Sequence, residues 1–327
     1  MDALILVNAI TNLEDNHVDF ANGFLERGFD VSYGLINTLA AHGSKVFCAV
    51  APVIARVDRG IPLGRPTTHQ SVEHYDIVWV MNQPHPSLAR DVWQLLWLLA
   101  RRCKFVNSVE AMVFLNTKNT LGYLVPQEHL VETHVANDFG QLWNIYDDYR
   151  DERWIVKPPN SGCGTDVYLL EPSGRNARTI LESMTGNTAT SAEIADANLL
   201  GLQNRYCILQ KYALEAARGE KGVLIAGGMV LTQYGRYPAA GEHRSNFTQG
   251  GRLVPATLTP VEHELCTELG QRLHTHGVNY ASIDLAYPHV LEFNIVNPGG
   301  IYDILQLTGT DYTPVAIDHI VKAVTEA

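Results

Sequence analysis

Three groups of residues in this chain have the types and spacing for chemistry on phosphate and carboxylate oxygens. The first is Lys157-Pro158-Pro159-Asn160-Ser161-Gly162-Cys163-Gly164-Thr165. Closely spaced glycines let backbone N–H groups converge on phosphate oxygens, and Lys157, at the end of the apolar run Trp154-Ile155-Val156, adds a fixed positive charge. A Walker loop or a dinucleotide fingerprint leads into a helix, whereas Thr165 to Leu170 is β-branched, aromatic and strand-like. The pattern predicts strand, loop, strand, with the loop folding over a nucleotide; an ordinary hairpin turn also accounts for this loop taken alone.

The second group is Asp284-Leu285-Ala286-Tyr287-Pro288-His289-Val290-Leu291-Glu292-Phe293-Asn294. A three-residue turn over Tyr287 to His289 places Asp284 opposite Glu292, with Asn294 on the face of Glu292 because strand side chains alternate. Two carboxylates facing each other across about 5 Å repel. A divalent cation between them removes that cost, and two carboxylates with an amide carbonyl suit Mg²⁺. Two solvated surface acids on a hairpin are the alternative, weakened by the interleaved Ile283, Leu285, Leu291 and Phe293. The third group holds Arg236, Arg244 and Arg252 among glycines, with Asn246 between the last two. Arginines set apart from any charge-alternating helix suit bidentate grip of an anionic phosphoryl group, and a solvated loop explains them equally well in isolation.

The elements that must position these groups follow from apolar periodicity. Strands are expected at Leu4–Val7, Asp30–Gly34, Lys45–Ala51, Ile77–Met81 and Lys104–Asn107, with helices at Asp19–Arg27 and Leu88–Arg101, an alternation that predicts a parallel sheet covered by helices. From about residue 126 the texture changes to strands at Trp154–Pro159, Asp166–Leu170 and Arg205–Tyr212. Antiparallel hairpins at Gly222–Tyr234 and Val278–Asn294 and helices at Pro260–His274 and Pro314–Val324 complete it. The fold class is thus α/β, passing to α+β in the C-terminal half, with units at 1–125, 126–204 and 205–327.

Composition narrows the function. Twenty-four Lys+Arg against 35 Asp+Glu leave a net charge of −11, which excludes a basic nucleic-acid binder and requires any bound phosphate to meet a local basic site. No apolar run approaches the ~20 residues of a membrane span, and the first residues read as a buried strand rather than a signal peptide. Five scattered cysteines without a CxxC pair argue against a disulfide framework or zinc finger. A cytoplasmic location is expected.

In this order the three groups resemble the ATP-grasp carboxylate–amine ligases, and within them the prokaryotic glutathione synthetases. The resemblance runs from Tyr75-Asp76-Ile77-Val78-Trp79-Val80-Met81 to the C-terminus. It is most specific at Phe105-Val106-Asn107-Ser108, Ile155-Val156-Lys157-Pro158, Arg236 to Arg252, and Ser282-Ile283-Asp284 through Glu292-Phe293-Asn294. It implies an ATP-grasp fold behind an N-terminal parallel-sheet domain, with ATP and Mg²⁺ as cofactors and Mn²⁺ as an alternative. On matching positions it implies Lys118 and Lys157 as phosphate lysines and Gly162 and Gly164 in a loop that closes over the phosphates. Gln210, Lys211 and Tyr212 match the hinge at adenine, Glu220 approaches the ribose, and Asp284, Glu292 and Asn294 hold the metal. Arg244, with Asn246 and Arg252 close by, steadies the transferring phosphoryl group.

The implied reaction joins an amino-acid or γ-glutamyl-type carboxylate to a small amine through an acyl phosphate. Small amino-acid or dipeptide substrates and a homodimer or homotetramer are expected by the same resemblance, with no nucleic-acid or membrane partner. The chain departs from the pattern at Ile295-Val296-Asn297-Pro298-Gly299-Gly300, where the synthetases have a Ser-Pro-Thr type segment near the amine acceptor. It departs again at Gly222, where they carry an arginine, and over the first 70 residues, including Asn12-Leu13-Glu14-Asp15-Asn16-His17. The alternatives are an amino-acid ligase of specialised metabolism, a ligase that cross-links a longer peptide, and a nucleotide-binding module without catalysis.

Overall fold

A computed structural model of the chain describes residues 1–63, 67–160, 165–186, 205–239 and 250–326. The first sheet comprises β1 (Asp2–Val7), β2 (Asp30–Leu35), β3 (Ala40–His42), β4 (Lys45–Val53), β5 (Thr68–Ser71), β6 (Ile77–Val80) and β7 (Lys104–Phe105). Its order is β3-β4-β2-β1-β6-β7, with β5 on β4. Strand β1 is apolar at every position from Ala3 to Val7 because both faces are covered. Leu4 and Leu6 pack towards the helix Ala89–Leu99, while Ala3, Ile5 and Val7 pack towards the helices Asp15–Glu26 and Thr313–Glu326.

The parallel expectation holds for β2-β1-β6-β7 and fails at β4, which runs antiparallel to β2. The cause is the length of the connection: the nine residues 36–44 are fewer than the dozen or so that a parallel crossover needs, so the chain turns back through β3.

The second sheet holds β8 (Thr133–Ala136), β9 (Trp154–Lys157), β10 (Tyr168–Leu170) and β11 (Cys207–Lys211), in the antiparallel order β10-β9-β11-β8. Trp154 and Val156 enter a core with Leu142 and Tyr146 of the helix Phe139–Asp148 and Leu181 of the helix Ala177–Thr185. Alternation then sends Lys157 to the opposite face. Strand β11 joins this sheet although it follows residue 204, where the third unit was expected to begin.

The third sheet holds β12 (Glu220–Ala226), β13 (Met229–Tyr237), β14 (Arg252–Pro255), β15 (Tyr280–Ala286) and β16 (His289–Asn294), antiparallel in the order β14-β13-β12-β15-β16. The helix Pro260–Thr275 covers part of it and starts at a capping box in which Thr259 and Glu262 each meet the other's backbone N–H, with Pro260 supplying its fixed φ at the first turn. Among the described residues no helix is long and apolar enough to cross a membrane, and Cys48, Cys103, Cys207 and Cys266 are buried free thiols.

The first and third sheets share two continuous cores, one containing Leu4, Val78, Val223 and Ile283, the other Ile5, Trp79, Leu224 and Tyr280. At their seam lies Asn107. Its Oδ1 accepts from the backbone N–H groups of Asn279 (2.8 Å) and Tyr280 (2.9 Å), and its Nδ2 donates to the carbonyls of Tyr280 (2.7 Å) and Ile295 (2.8 Å). Replacing this 2% exposed amide by alanine orphans four buried backbone groups. Asn107→Ala is expected to lower unfolding free energy by about 2–4 kcal/mol, measured by urea denaturation; a change below about 1 kcal/mol would contradict the role of this seam.

Candidate active site

One face of the third sheet carries the chemistry, and two β-bulges decide which residues stand on it. Between β12 and β13 the Gly227-Gly228 turn pairs Ala226 with Met229, and an extra residue, Leu231, shifts the register beyond Leu224. Arg236 rather than Gly235 then faces Glu220, and Tyr234 rather than Gln233 faces Gly222. Between β15 and β16 the turn has two residues, Tyr287 and Pro288, not the expected three. Leu291 is the extra residue that restores the opposition of Asp284 and Glu292. A row therefore crosses four strands, Tyr234, Gly222, Asp284, Glu292, flanked by the pair Arg236–Glu220 and by Ser282 opposite Asn294.

The carboxylates of this face are met by cations. Arg236 Nη2 lies 2.7 Å from Asp284 Oδ2 and 3.2 Å from Glu220 Oε1, and Lys118 Nζ lies 2.9 Å from Glu292 Oε1. Asn294 Nδ2 donates to Asp284 Oδ2 at 3.2 Å, and Ser282 Oγ to Asp284 Oδ1 at 3.4 Å. The Arg236–Asp284 approach is close but poorly aligned, and Arg236 Nε meets no acceptor among the described residues. Burial pushes the Glu220 carboxyl up to about 7 against the pull of Arg236, with Asp284 and Glu292 adding repulsion. Asp284 and Glu220 together hold the Arg236 guanidinium far above its usual range, against its own burial.

The second sheet supplies Lys157 from β9. Its ammonium donates to Gln210 Oε1 at 2.8 Å, and Gln210 Nε2 donates to Thr133 Oγ1 at 2.8 Å. Burial lowers Lys157 to about 8, opposed by Glu292 and Glu220 and reinforced by Lys118. Those influences place Lys157 in the same electrostatic field as the third-sheet row. The backbone N–H of Lys118 donates to Pro159 O at 3.4 Å, which ties the turn Lys118–Thr120 to the segment after β9.

Other expected positions fall elsewhere. Strand alternation turns Lys211 away from Gln210, so its ammonium pairs with Glu132 (2.9 Å) and Glu152 (3.0 Å). Tyr212 donates its backbone N–H to Arg153 O. Arg252 opens the edge strand β14 opposite Tyr237, its guanidinium 6.0 Å from that ring centre, on the other face from Arg236. Gly162, Gly164, Arg244 and Asn246 lie outside the described residues, as does Cys163. Arg236 stood in the arginine group without a role; the Gly227-Gly228 turn counted alone sets Gly235 opposite Glu220, and the bulge that brings Arg236 there has no sequence signature.

The face brings three carboxylates together with Arg236, Lys118 and Lys157, so it can exchange internal ion pairs for an incoming cation and polyanion with little change in net charge. The sequence model of the prokaryotic glutathione synthetase ATP-grasp domain matches residues 120–309, more than half of the 327-residue chain. The chain belongs to that family. It is an ATP-dependent ligase of the ATP-grasp type. It is 25% identical over 338 residues to the glutathione synthetase of Gloeobacter violaceus, an alignment spanning 98% of this chain and 97% of that protein. Among solved structures it is similar to the D-cycloserine synthetase DcsG, with a TM-score of 0.62, 13% identity and 99% of both chains covered. It is likewise similar to the macrocyclase MdnC bound with precursor peptide MdnA from Microcystis aeruginosa, with a TM-score of 0.61, 13% identity and 100% of both chains covered. At these identities the likeness shows the fold.

The glycine at 222 has a steric reason. A Cβ at 222 would stand 2.5 Å from the Tyr234 ring, and a Cβ at Gly300 would stand 2.3 Å from it. Tyr234 is thus clamped between the sheet and the loop after β16, and burial pushes its phenol up to about 12. Gly300 also has φ +111°, so Gly300→Ala combines overlap with a forbidden backbone and is expected to destabilise by about 2 kcal/mol or more. Gly299→Ala, with open space around the added Cβ, should leave the melting temperature near that of the parent chain; equal melting of both variants would contradict the clamp.

The Lys157 shift carries a pH prediction. Lys157 is charged below about 8 and neutral above it, so kcat/KM for ATP should be flat near neutrality and fall on an alkaline limb with an apparent pKa near 8. Its folded pKa is depressed below the unfolded value of about 10.4, so the unfolded state binds more protons from 8 upward and this group's contribution to stability rises across that window. Lys157→Arg should remove the limb; a limb that persists unchanged would assign it to another group.

Proposed function

We propose that this chain forms an amide bond by activating a substrate carboxylate with ATP. The observation that carries the proposal is the row of Asp284 and Glu292, with Asn294 beside it, interleaved with Arg236, Lys118 and Lys157. A carboxylate oxygen of the donor attacks the γ-phosphorus of ATP; the new O–P bond forms as the bond to the β-phosphate oxygen breaks, giving an acyl phosphate and ADP. The acceptor nitrogen then attacks the acyl carbon, the C–O bond to phosphate breaks, inorganic phosphate leaves and the amine loses a proton.

In this reading Lys157 and Lys118 take phosphate oxygens, and Gln210 holds the Lys157 ammonium in place. Asp284, Glu292 and Asn294 hold a divalent cation. Their hard oxygen donors suit Mg²⁺, with Mn²⁺ as an alternative. Such a cation neutralises charge on phosphate oxygens. With the carboxylates so engaged, Arg236 would be free to turn from Asp284 towards an anionic group. Arg244 and Asn246 are proposed to steady the transferring phosphoryl group, Gly162 and Gly164 to cover it, Lys211 and Tyr212 to border adenine through their backbone, and Glu220 to approach the ribose. The donor is an amino-acid or γ-glutamyl-type carboxylate, the acceptor a small amine or amino acid, and the chain works as a homodimer or homotetramer.

The test is ADP release by purified protein with Mg²⁺ and ATP across a matrix of γ-glutamylcysteine, free amino acids and amines, with products identified by mass. Release that requires both substrates is expected; turnover without either would contradict the reading. Glu292→Gln removes one carboxylate charge from the cation site and should lower kcat/KM by about 100-fold. Activity within a few-fold of the parent would refute the cation assignment. Arg244→Ala should lower kcat more than it raises KM for ATP, and an unchanged kcat would refute its transition-state role.

A further inference from the structure

Lys157 does not stand alone on its face of the second sheet. Gln210 of β11 lies opposite Ile155 of β9 on one side and opposite Thr133 of β8 on the other. Because strand side chains alternate, Thr133, Gln210 and Lys157 project on the same side of three neighbouring strands, away from the core around Trp154.

The hydrogen bonds along this row can run in one sense only. An ammonium has no acceptor, so Lys157 Nζ must donate to Gln210 Oε1, at 2.8 Å, which turns Gln210 Nε2 towards β8. There Thr133 Oγ1, at 2.8 Å, must accept, and it can do so because its single proton is given to the Val131 carbonyl at 2.7 Å. The branched β-carbon of threonine restricts the hydroxyl to few rotamers. Gln210 and Lys157 are both buried, so an amide that lost its acceptor on β8 would leave a donor orphaned and be free to swing away from the ammonium.

The anchor of the row is fastened to the carboxylate hairpin. Leu130 pairs with Val290 of β16, two residues before Glu292, and His129 Nδ1 donates to Pro288 O in the hairpin turn at 2.6 Å. Residues 129–133 thus run from the third sheet into the second, and a neutral path through Val131, Thr133 and Gln210 ends at the lysine. Charged groups bear on Lys157 from other elements as well. Burial opposes its ammonium most, Glu292 of β16 and Glu220 of β12 favour it, and Lys118 opposes it.

We propose that Thr133 is a positioning residue for nucleotide binding: its hydroxyl fixes the Gln210 amide with the oxygen towards Lys157, and so holds the lysine charged and in place for a phosphate oxygen. The row carries a position set at the hairpin of Asp284 and Glu292 to a lysine of another sheet without adding a charge between them. This inference rests on the phosphate role of Lys157 proposed above.

The test measures binding of Mg²⁺–ADP to the full chain by titration calorimetry over a pH range centred on the Lys157 pKa of about 8, a readout that needs no turnover. The parent should lose affinity on the alkaline side as Lys157 deprotonates. Thr133→Val keeps the shape and removes the hydroxyl. It should move that loss to lower pH by about half a unit or more, because the charged lysine loses a held acceptor, and weaken binding near neutrality about threefold. Thr133→Ala is a second hydroxyl-free variant, and Thr133→Ser should stay within about twofold of the parent. In a Gln210→Leu background Thr133→Val should add less than about twofold, since the two residues act in series. Folded hydroxyl-free variants with the affinity and pH profile of the parent, or an effect of Thr133→Val undiminished by Gln210→Leu, overturn this inference alone. Binding of Mg²⁺–ADP that is unchanged in Lys157→Ala overturns the phosphate role of Lys157 and this inference together.

Discussion

Two carboxylates on directly opposed positions of an antiparallel hairpin are unfavourable by themselves, and the site is organised around that cost. Asp284 and Glu292 face each other on β15 and β16, and a third carboxyl, Glu220, lies one step along the same face. Arg236 meets two of them and Lys118 meets the third. Each cation comes from a different element, so β13 and the turn at Lys118 are held to the hairpin by these charges. The compensation is electrostatic rather than rigid: Arg236 approaches Asp284 without good hydrogen-bond alignment.

The charges can be placed this closely because the scaffold around them is fixed by neutral contacts. Asn107 joins the end of the first sheet to the start of β15 and to Ile295 just beyond β16, and Asn116 Oδ1 accepts from the Ile295 N–H at 2.9 Å. Two amides thus hold the residues on either side of the carboxylate hairpin without adding charge to the low-dielectric interior. The second sheet has its own core and reaches the row through Lys157 and the backbone contact between Lys118 and Pro159. Its lysine is buried at a cost, visible in its depressed pKa, and the carboxylates across the site offset part of that cost.

The loop after β16 is held from two sides. On one side Gly300 makes room for Tyr234, whose ring also covers Gly222 and so occupies the space that a longer side chain there would need. On the other side Asn297 and Pro298 are held by Glu14 and Asn16. Segments distant in sequence are therefore joined here, a loop to its sheet support and to its partner after β1.

By itself the sequence determined the alternation of strands and helices in the first domain, the hairpins of the last and the residue types of the site. Apolar periodicity, turn residues and the placement of lysines and carboxylates at strand ends are local properties. It also determined family membership, through short motifs whose joint order is specific. Tertiary structure alone decided the registers. Leu231 and Leu291 look like ordinary strand residues, yet as bulges they bring Arg236 to Glu220 and Glu292 to Asp284; the expected three-residue turn reached the second pairing by a different count. Tertiary structure also decided that β4 runs antiparallel, that β11 belongs to the second sheet, and that Lys211 faces away from Lys157. Each depends on contacts between residues far apart in the chain, where packing and charge pairing outweigh local preference, and no local pattern encodes them.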